Sequence, residues 1–205
     1  MQLCDADRLR MYMRIQHVPV PLITDTDEMS ARPNQFFARL GWAERGRDAV
    51  YRQIAIAGHN YSVLATYTSF GWLCWKVFVD ETINSAKFID YMENTLQPLL
   101  RAGAYGLLDN ARIHKTPEAL ASIEIVFDGK YVFSAPYANM DKPVELGFAN
   151  VKLFLRDHED EAVVQPLHWI NQAFLKYSIH GDSGLVAYNH FASYTRNHEY
   201  YLNNL

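Results

Sequence analysis

Carboxylates follow two short apolar runs, and this placement constrains the fold of the 205-residue chain more than any other feature. The run His17–Ile23 leads into the acidic segment 24–28, and the uncharged run Ala104–Leu108 ends at Asp109. A carboxylate at the end of a buried strand is costly unless it is paired or metal-bound. We therefore expect two strands of an α/β sheet whose C-terminal ends carry acids beside a ligand crevice.

The remaining pattern predicts further strands and several helices. Three β-rich runs separated by turn residues predict hairpins over Tyr51–Ala57, Tyr61–Ser69 and Gly71–Val79. Apolar spacing predicts helices over 6–16, 86–101, 116–122, from Pro143 through Leu155 and over Val163–Ser178, with another strand over Lys130–Ala135. This order of elements predicts an α/β three-layer domain with a mixed sheet flanked by helices.

Composition bounds the class of protein. Hydrophobic residues make up 49% of the chain, enough for the core of one folded domain. Nineteen basic residues against 23 acidic ones give a net charge of −4, which excludes binding to nucleic acid by bulk charge alone. The segment from Arg32 to Arg52 is locally basic, and its arginines fit either a solvated loop or a contact with a polyanion.

The two cysteines and the apolar runs indicate a reducing compartment and no membrane segment. Cys4 and Cys74 form no CxxC motif, so neither a disulfide framework nor a cysteine zinc site is indicated. The apolar runs stop well short of the roughly 20 residues that span a bilayer. The first residues mix acids and arginines, so we do not expect secretion.

A third carboxylate, Glu145, falls in the first turn of the helix predicted after Pro143. Together with Asp27 and Asp109 it forms a set of oxygen ligands that suits Mg²⁺. Two such ions about 4 Å apart would activate water or a 3′-hydroxyl at a phosphodiester. The residues alone leave this reading open, because most acidic side chains only solvate a surface.

Several motifs accompany these acids over residues 20–157, and 35 residues separate the last two acids. The motifs are Asp27-Glu28, Gly41-Trp42, Arg45-Gly46, the segment 61–65, the helix Phe88–Leu100, the segment 108–115 with Asp109, Asn110 and His114, Pro136-Tyr137, and Pro143-Val144-Glu145 with Phe148 and Lys152 after it. In their order and spacing they resemble the DDE transposases of the mariner superfamily and their bacterial insertion-sequence relatives.

The resemblance implies an RNase H-like three-layer fold with a mixed five-stranded sheet. It implies Asp27, Asp109 and Glu145 as the catalytic and metal-binding residues, with two Mg²⁺ (or Mn²⁺) ions and DNA as the substrate. Asp25 competes with Asp27 for the first position, but the distance to Gly41-Trp42 favours Asp27. The corresponding division is a helical lead-in over 1–19, a catalytic domain over 20–160 and a helical tail over 161–205.

Two groups of further residues are expected beside the triad. Asn110 and His114 are expected as accessory residues. The residues expected to contact nucleic acid are Arg39, Arg45, Arg47, Lys115, Lys142 and Lys152. Lys142 stands where the family usually has Asn, and it either holds a DNA phosphate or neutralises a metal ligand. A homo-oligomer is expected when the protein is active, located in the nucleus of a eukaryote or otherwise in the cytoplasm.

Two other functions compete with a transposase catalytic domain. One is a catalytically inactive, transposon-derived module that binds DNA or protein, which the altered residues at Ala138, Asn139 and Lys142 favour. The short stretch before the first strand favours it too, because the family's DNA-recognition helices would precede that strand. The other is an RNase H-like nuclease that acts on other nucleic acids.

Overall fold

A computed structural model describes residues 5–33, 44–47, 58–135, 142–181 and 184–203. The strands of the described part are β1 (Ile23–Ala31), β2 (Tyr61–Thr68), β3 (Gly71–Val79), β4 (Tyr105–Leu108) and β5 (Tyr131–Phe133). The described α-helices are α1 (Asp5–Ile15), α2 (Ser85–Asp90), α3 (Pro117–Phe127), α4 (Pro143–Asp157), α5 (Glu159–Val164), α6 (Pro166–Lys176) and α7 (Gly184–Asn203).

The strands form one mixed sheet in the order β3-β2-β1-β4-β5. β1 pairs antiparallel with β2 and parallel with β4, and β4 pairs parallel with β5. The predicted mixed five-stranded sheet is therefore confirmed. The parallel centre matters for function, because the end of β4 at Leu108 lies beside Thr26 in the middle of β1.

Helices cover both faces of the sheet and give the predicted three layers. One face packs against α1, α4, α6 and α7, where the Trp72 ring centroid lies 5.0 Å from that of Phe148 and 4.8 Å from that of Phe174. The other face packs against α2 and α3, through Phe88 and Ile123 among others. Burying each such side chain stabilises the fold by about 1.5–3 kcal/mol.

β1 is longer than the sequence predicted. The segment 24–28 lies inside the strand instead of following its end. Its polar side chains find partners within the fold, as the 2.9 Å hydrogen bond between the hydroxyls of Thr26 and Thr66 shows. These partners come from other elements. The polar sequence of β1 therefore does not by itself predict a strand of this length.

The predicted helices differ from the observed ones mainly where proline intervenes. The helix predicted over 86–101 is α-helical over α2 and continues as a wide turn over Tyr91–Leu96 and a tight turn over Gln97–Leu99, which contains Pro98. The helix predicted over Val163–Ser178 is divided between α5 and α6, and Pro166 begins the second. The strand predicted over Tyr51–Ala57 lies outside the described residues.

The helical tail packs on the same core as α4. Ile170 and Phe174 of α6 and Phe191 of α7 are buried there. The division of the chain near residue 160 stays a prediction. Within the described ranges, no helix combines the length and apolar character needed to cross a membrane.

Candidate functional site

The register of the parallel strands brings Asp27 and Asp109 to one edge of the sheet. Asp25 pairs with Leu107 and Thr26 with Leu108, so one further step sets Asp109 beside Asp27. Neighbouring strands lie about 4.8 Å apart. The start of α4 covers this edge, because the backbone N–H of Val144 donates to Oδ2 of Asp25 at 3.0 Å. That contact sets the first turn of α4, which carries Glu145, over the two aspartates.

Asp25 and Asp27 share one face of β1 but differ in access. Asp25 is fully buried, and burial raises its pKa to about 7 although Lys142 acts in the opposite direction. The side chain of Asp27 is 12% exposed, and its Oδ1 accepts from the backbone N–H of Glu28 at 2.7 Å. Asp25 therefore anchors α4, while Asp27 lies where a ligand can reach it.

Lys142 reaches into the acidic edge from the residue before α4. Its ammonium lies 2.6 Å from Oδ2 of Asp27 and 3.7 Å from Oδ1 of Asp25, and its side chain is 1% exposed. Burial alone would lower its pKa, but the two aspartates raise the pKa above its ordinary value. Of the two roles that the sequence left open for Lys142, this placement favours neutralisation of Asp27 over contact with DNA.

The three predicted acids share one electrostatic neighbourhood. Burial and the nearby charge of Asp27 raise the pKa of Glu145, while Lys142 acts to lower it. Burial would also raise the pKa of Asp109, but His114, the backbone N–H of Ala111 and Lys142 hold it below its ordinary value. The fold thus brings together Asp27, Asp109 and Glu145, as the sequence predicted, around one lysine.

His114 bridges two carboxylates below the edge. Its Nε2 lies 3.0 Å from Oε1 of Glu28 and its Nδ1 lies 2.6 Å from Oδ1 of Asp109. Burial would lower the pKa of His114, but the two carboxylates raise it to about 9. Its ring packs on Phe88 with centroids 4.1 Å apart. An imidazolium held at both nitrogens fixes the position of Asp109, which is a positioning role.

Glu28 is a site residue to which the sequence assigned no role. The sequence feature that could have identified Glu28 is its place in the Asp27-Glu28 motif. The ligand atoms of Glu28, Asp109 and His114 all lie within 4.8 Å of one another, a group that could hold a metal ion. Because each nitrogen of His114 already faces a carboxylate, the histidine serves better as a cation than as a ligand.

Asn110 is half-buried beside Asp109, and Lys115, Lys152, Arg45 and Arg47 are exposed. Asn110 donates to the carbonyl oxygen of Ser134 and accepts from the ammonium of Lys115. Lys152 is exposed on α4, two turns after Glu145. Arg45 and Arg47 are exposed, with Arg47 3.5 Å from a carboxylate oxygen of Glu44, whereas Arg39 lies outside the described residues.

A basic cleft beside the site was missed by the sequence analysis. A cavity of about 530 Å³ opens between α1 and β5 and is lined by Arg10, Arg14, Asn110, Phe133 and Ser134 among others. Arg10 lies 3.1 Å from a carboxylate oxygen of Asp7. The arginines recur four residues apart on α1, a signal that could have placed them on one helix face.

The carboxylates of this edge suit a hard divalent ion. Asp27, Asp109 and Glu145 offer carboxylate oxygens, the ligand type that Mg²⁺ prefers. The raised pKa of Glu145 also reflects repulsion from Asp27, which a bound cation would relieve. The donor chemistry therefore fits, although Lys142 already pairs with Asp27 and the three carboxylates form a less compact group than Glu28, Asp109 and His114.

The mixed sheet carries Asp27 on β1 and Asp109 directly after β4, on two neighbouring parallel strands. A family model described as DDE superfamily endonuclease matches residues 24–138, more than half of the chain. The chain belongs to this family. The matched range includes Asp27 and Asp109 and ends before Glu145.

Solved structures of the Mos1 mariner transposase share the fold. The Mos1 mariner paired end complex with Mn is 15% identical, with a TM-score of 0.73, over 97% of this chain and 62% of that chain. The Mos1 transposase catalytic domain with Raltegravir and Mg is 14% identical, with a TM-score of 0.69, over 100% of this chain and 97% of that one. The predicted RNase H-like fold is thereby confirmed.

The coverage differs between these comparisons. The chain spans about 62% of the Mos1 chain in the paired end complex with Mn. A search of curated proteins found no match.

Proposed function

We propose that the chain is the catalytic domain of a mariner-type DDE transposase, a divalent-ion-dependent endonuclease and strand transferase acting on DNA. One observation carries the proposal. The parallel register of β1 and β4, with the first turn of α4 held on Asp25, gathers Asp27, Asp109 and Glu145 at one edge. Membership of the DDE superfamily endonucleases supports the reaction class.

The side chains at this edge would have different roles in the reaction. Asp27, Asp109 and Glu145 would hold Mg²⁺ or Mn²⁺. When bound, such ions supply Lewis acidity that activates an attacking water or 3′-hydroxyl and stabilises the leaving oxygen. His114 and Glu28 fix Asp109 in position. Lys115, beside Asn110, offers a positive charge to a DNA phosphate.

The test is nicking of duplex DNA by the purified chain in Mn²⁺, compared with an Asp109→Ala variant. The proposal predicts metal-dependent nicking that this substitution abolishes. Asp128→Ala, at an exposed aspartate after α3, is the matched control and should cleave like the wild type. Nicking without metal, or nicking untouched by Asp109→Ala, would refute the proposal. Comparing the cleavage of duplex DNA with that of an RNA–DNA hybrid distinguishes a transposase from an RNase H-like nuclease that acts on other nucleic acids.

A second candidate function is an inactive, transposon-derived binding module. The ion pair between Lys142 and Asp27 favours it, because a ligand oxygen is already neutralised. Such a module would bind DNA with a steep salt dependence and cleave nothing in Mn²⁺. Cleavage of either substrate would eliminate it.

DNA is the partner that this function requires. Solved Mos1 structures include a paired end complex with the left transposon end and a strand transfer complex, which supports a DNA partner. A homo-oligomer when active is part of the same proposal. A protein of this function would work in the nucleus of a eukaryote or the cytoplasm of a bacterium.

A further inference from the structure

The proposed chemistry gives no task to the buried ammonium of Lys142, a charge at the acidic edge. It lies 2.6 Å from Oδ2 of Asp27 and 3.7 Å from Oδ1 of Asp25. That oxygen of Asp25 is buried and has no hydrogen-bond partner in the described part of the chain. One ammonium therefore supplies positive charge to two carboxylates.

The fold holds both the backbone and the side chain of Lys142 in place. Lys142 is the residue that precedes α4, and α4 is itself held by the hydrogen bond from Val144 to Asp25. The side chain is enclosed, unlike that of Lys76, which makes an equally short contact of 2.6 Å with Asp90 at the surface. Lys142 is thus part of the packed site and not a surface lysine that happens to lie near an acid.

A divalent ion bound to Asp27 would lie close to the Lys142 ammonium, which already contacts Oδ2 of the same carboxylate. Mg²⁺ binds carboxylate oxygens at about 2.0–2.1 Å, so the two cations would lie within a few ångström of each other. In a buried site their repulsion is screened weakly. Among the described residues, no basic side chain pairs with Glu145 as closely as Lys142 pairs with Asp27, although Lys142 and Lys152 both act to lower the pKa of Glu145.

We propose that the Lys142 ammonium, paired with Asp27, takes the place of one of the two divalent ions, so that the wild-type chain binds one ion. This inference rests on the proposed function, because it takes Asp27 as a cation ligand. The chain then carries a tethered monovalent cation where its resemblance to the transposases implies a second metal.

The experiment counts Mn²⁺ ions by isothermal titration calorimetry on the full chain and on a Lys142→Asn variant. The wild type should bind one ion and the variant two. The added site of the variant should be at least about tenfold tighter than any second site of the wild type, because the repelling charge is gone. Lys76→Asn is the control for loss of a lysine, and it should bind Mn²⁺ as the wild type does.

Thermal melting with and without Mn²⁺ gives a second readout that needs no activity. Without metal, Lys142→Asn should melt below the wild type, and Mn²⁺ should raise its melting temperature more than that of the wild type. A variant that folds only when Mn²⁺ is added gives the same support. A Lys142→Asn and a Lys142→Met variant that both stay unfolded in Mn²⁺ would overturn the proposal.

The outcomes distinguish this inference from the function on which it rests. Two equally tight ions on both the wild type and Lys142→Asn would overturn the role of Lys142 and leave the nuclease proposal standing. No Mn²⁺ binding to either protein would overturn both.

Discussion

Asp25 and Asp27 are two residues apart on the same face of β1, yet their surroundings assign them different tasks. Asp25 accepts the backbone N–H of Val144 in a fully buried position, whereas Asp27 is partly accessible beside Asp109. Backbone amides at a helix start need acceptors, and a buried amide that loses its acceptor costs about 1–3 kcal/mol. The position before α4, Lys142, provides no side-chain cap, so Asp25 does.

Substituting Asp25 and Asp27 one at a time distinguishes the residue that anchors α4 from the residue proposed to act in catalysis. Asp25→Ala should lower the free energy of unfolding by about 1–3 kcal/mol, because the Val144 amide loses its acceptor. Asp27→Asn should abolish Mn²⁺-dependent nicking with a smaller effect on stability. Urea unfolding and a nicking assay on both variants check this. A stable but inactive Asp25→Asn variant, beside an active Asp27→Asn variant, would move the first catalytic position to Asp25.

His190 lies away from the acidic edge and makes the free energy of unfolding depend on pH. Its Nδ1 lies 3.1 Å from the hydroxyl of Tyr67 and its Nε2 lies 3.4 Å from Nδ2 of Asn150. Burial lowers the pKa of His190 below its ordinary value. Below about pH 6.5 the unfolded chain therefore binds a proton that the folded chain resists, and the free energy of unfolding falls as the pH drops.

His190→Gln should weaken this loss of stability on acidification. The measurement is urea unfolding above and below about pH 6.5. His168→Gln, at an exposed histidine of α6, is the control for the loss of a histidine. An unchanged pH slope in His190→Gln would show that the proton taken up on unfolding belongs to another group.

At the scale of elements, the close packing of α4 on the sheet sets the height of Glu145 above the aspartates. Gly147 is the contact point, because a Cβ built there would lie 2.8 Å from Cζ2 of Trp72 and 3.1 Å from Cδ2 of Tyr67. Trp72 is fully buried and stacks on Phe148, so its ring cannot move aside cheaply. A glycine inside a helix is unfavourable in itself, so its presence reflects the need for close approach.

Gly147→Ala should therefore destabilise the protein by about 1–3 kcal/mol through overpacking, despite the better helix propensity of alanine. Ala149→Gly, at an exposed position of the same helix, measures propensity alone and should cost about 1 kcal/mol. Thermal or urea unfolding of both variants is the measurement. A stabilised Gly147→Ala variant would show that propensity outweighs the contact with Trp72.

The elements that sequence reading predicted well are those whose patterns are local. Apolar runs and turn residues predicted β2, β3 and β4, and Pro143 predicted the start of α4. β1 was predicted too short because its stability comes from partners elsewhere, such as the hydroxyl of Thr66. The acids of the site were chosen through the resemblance to the transposases, since their positions alone left the choice open. The burial of Lys142 depends on how α4 docks and is not encoded in any local pattern.

At the scale of the whole molecule, the net charge of −4 means that the proposed DNA partner would be held by a local set of cations. The cleft between α1 and β5 offers such a set, because Arg10 and Arg14 line it together with Asn110, next to the acidic edge. Each phosphate neutralised by a side chain adds about 0.9 to the slope of log affinity against log salt for duplex DNA.

Replacing both Arg10 and Arg14 with Gln should weaken DNA binding and reduce the magnitude of that salt slope by about 2, because two phosphate contacts are lost. Fluorescence anisotropy of a labelled duplex over a salt series measures both quantities. A Lys76→Gln and Lys130→Gln double variant removes the same charge from two lysines paired with carboxylates 2.6 Å away, outside this cleft. Equal losses in the two double variants would mean that DNA responds to net charge alone, whereas a loss confined to the arginine variant would place the DNA backbone along α1.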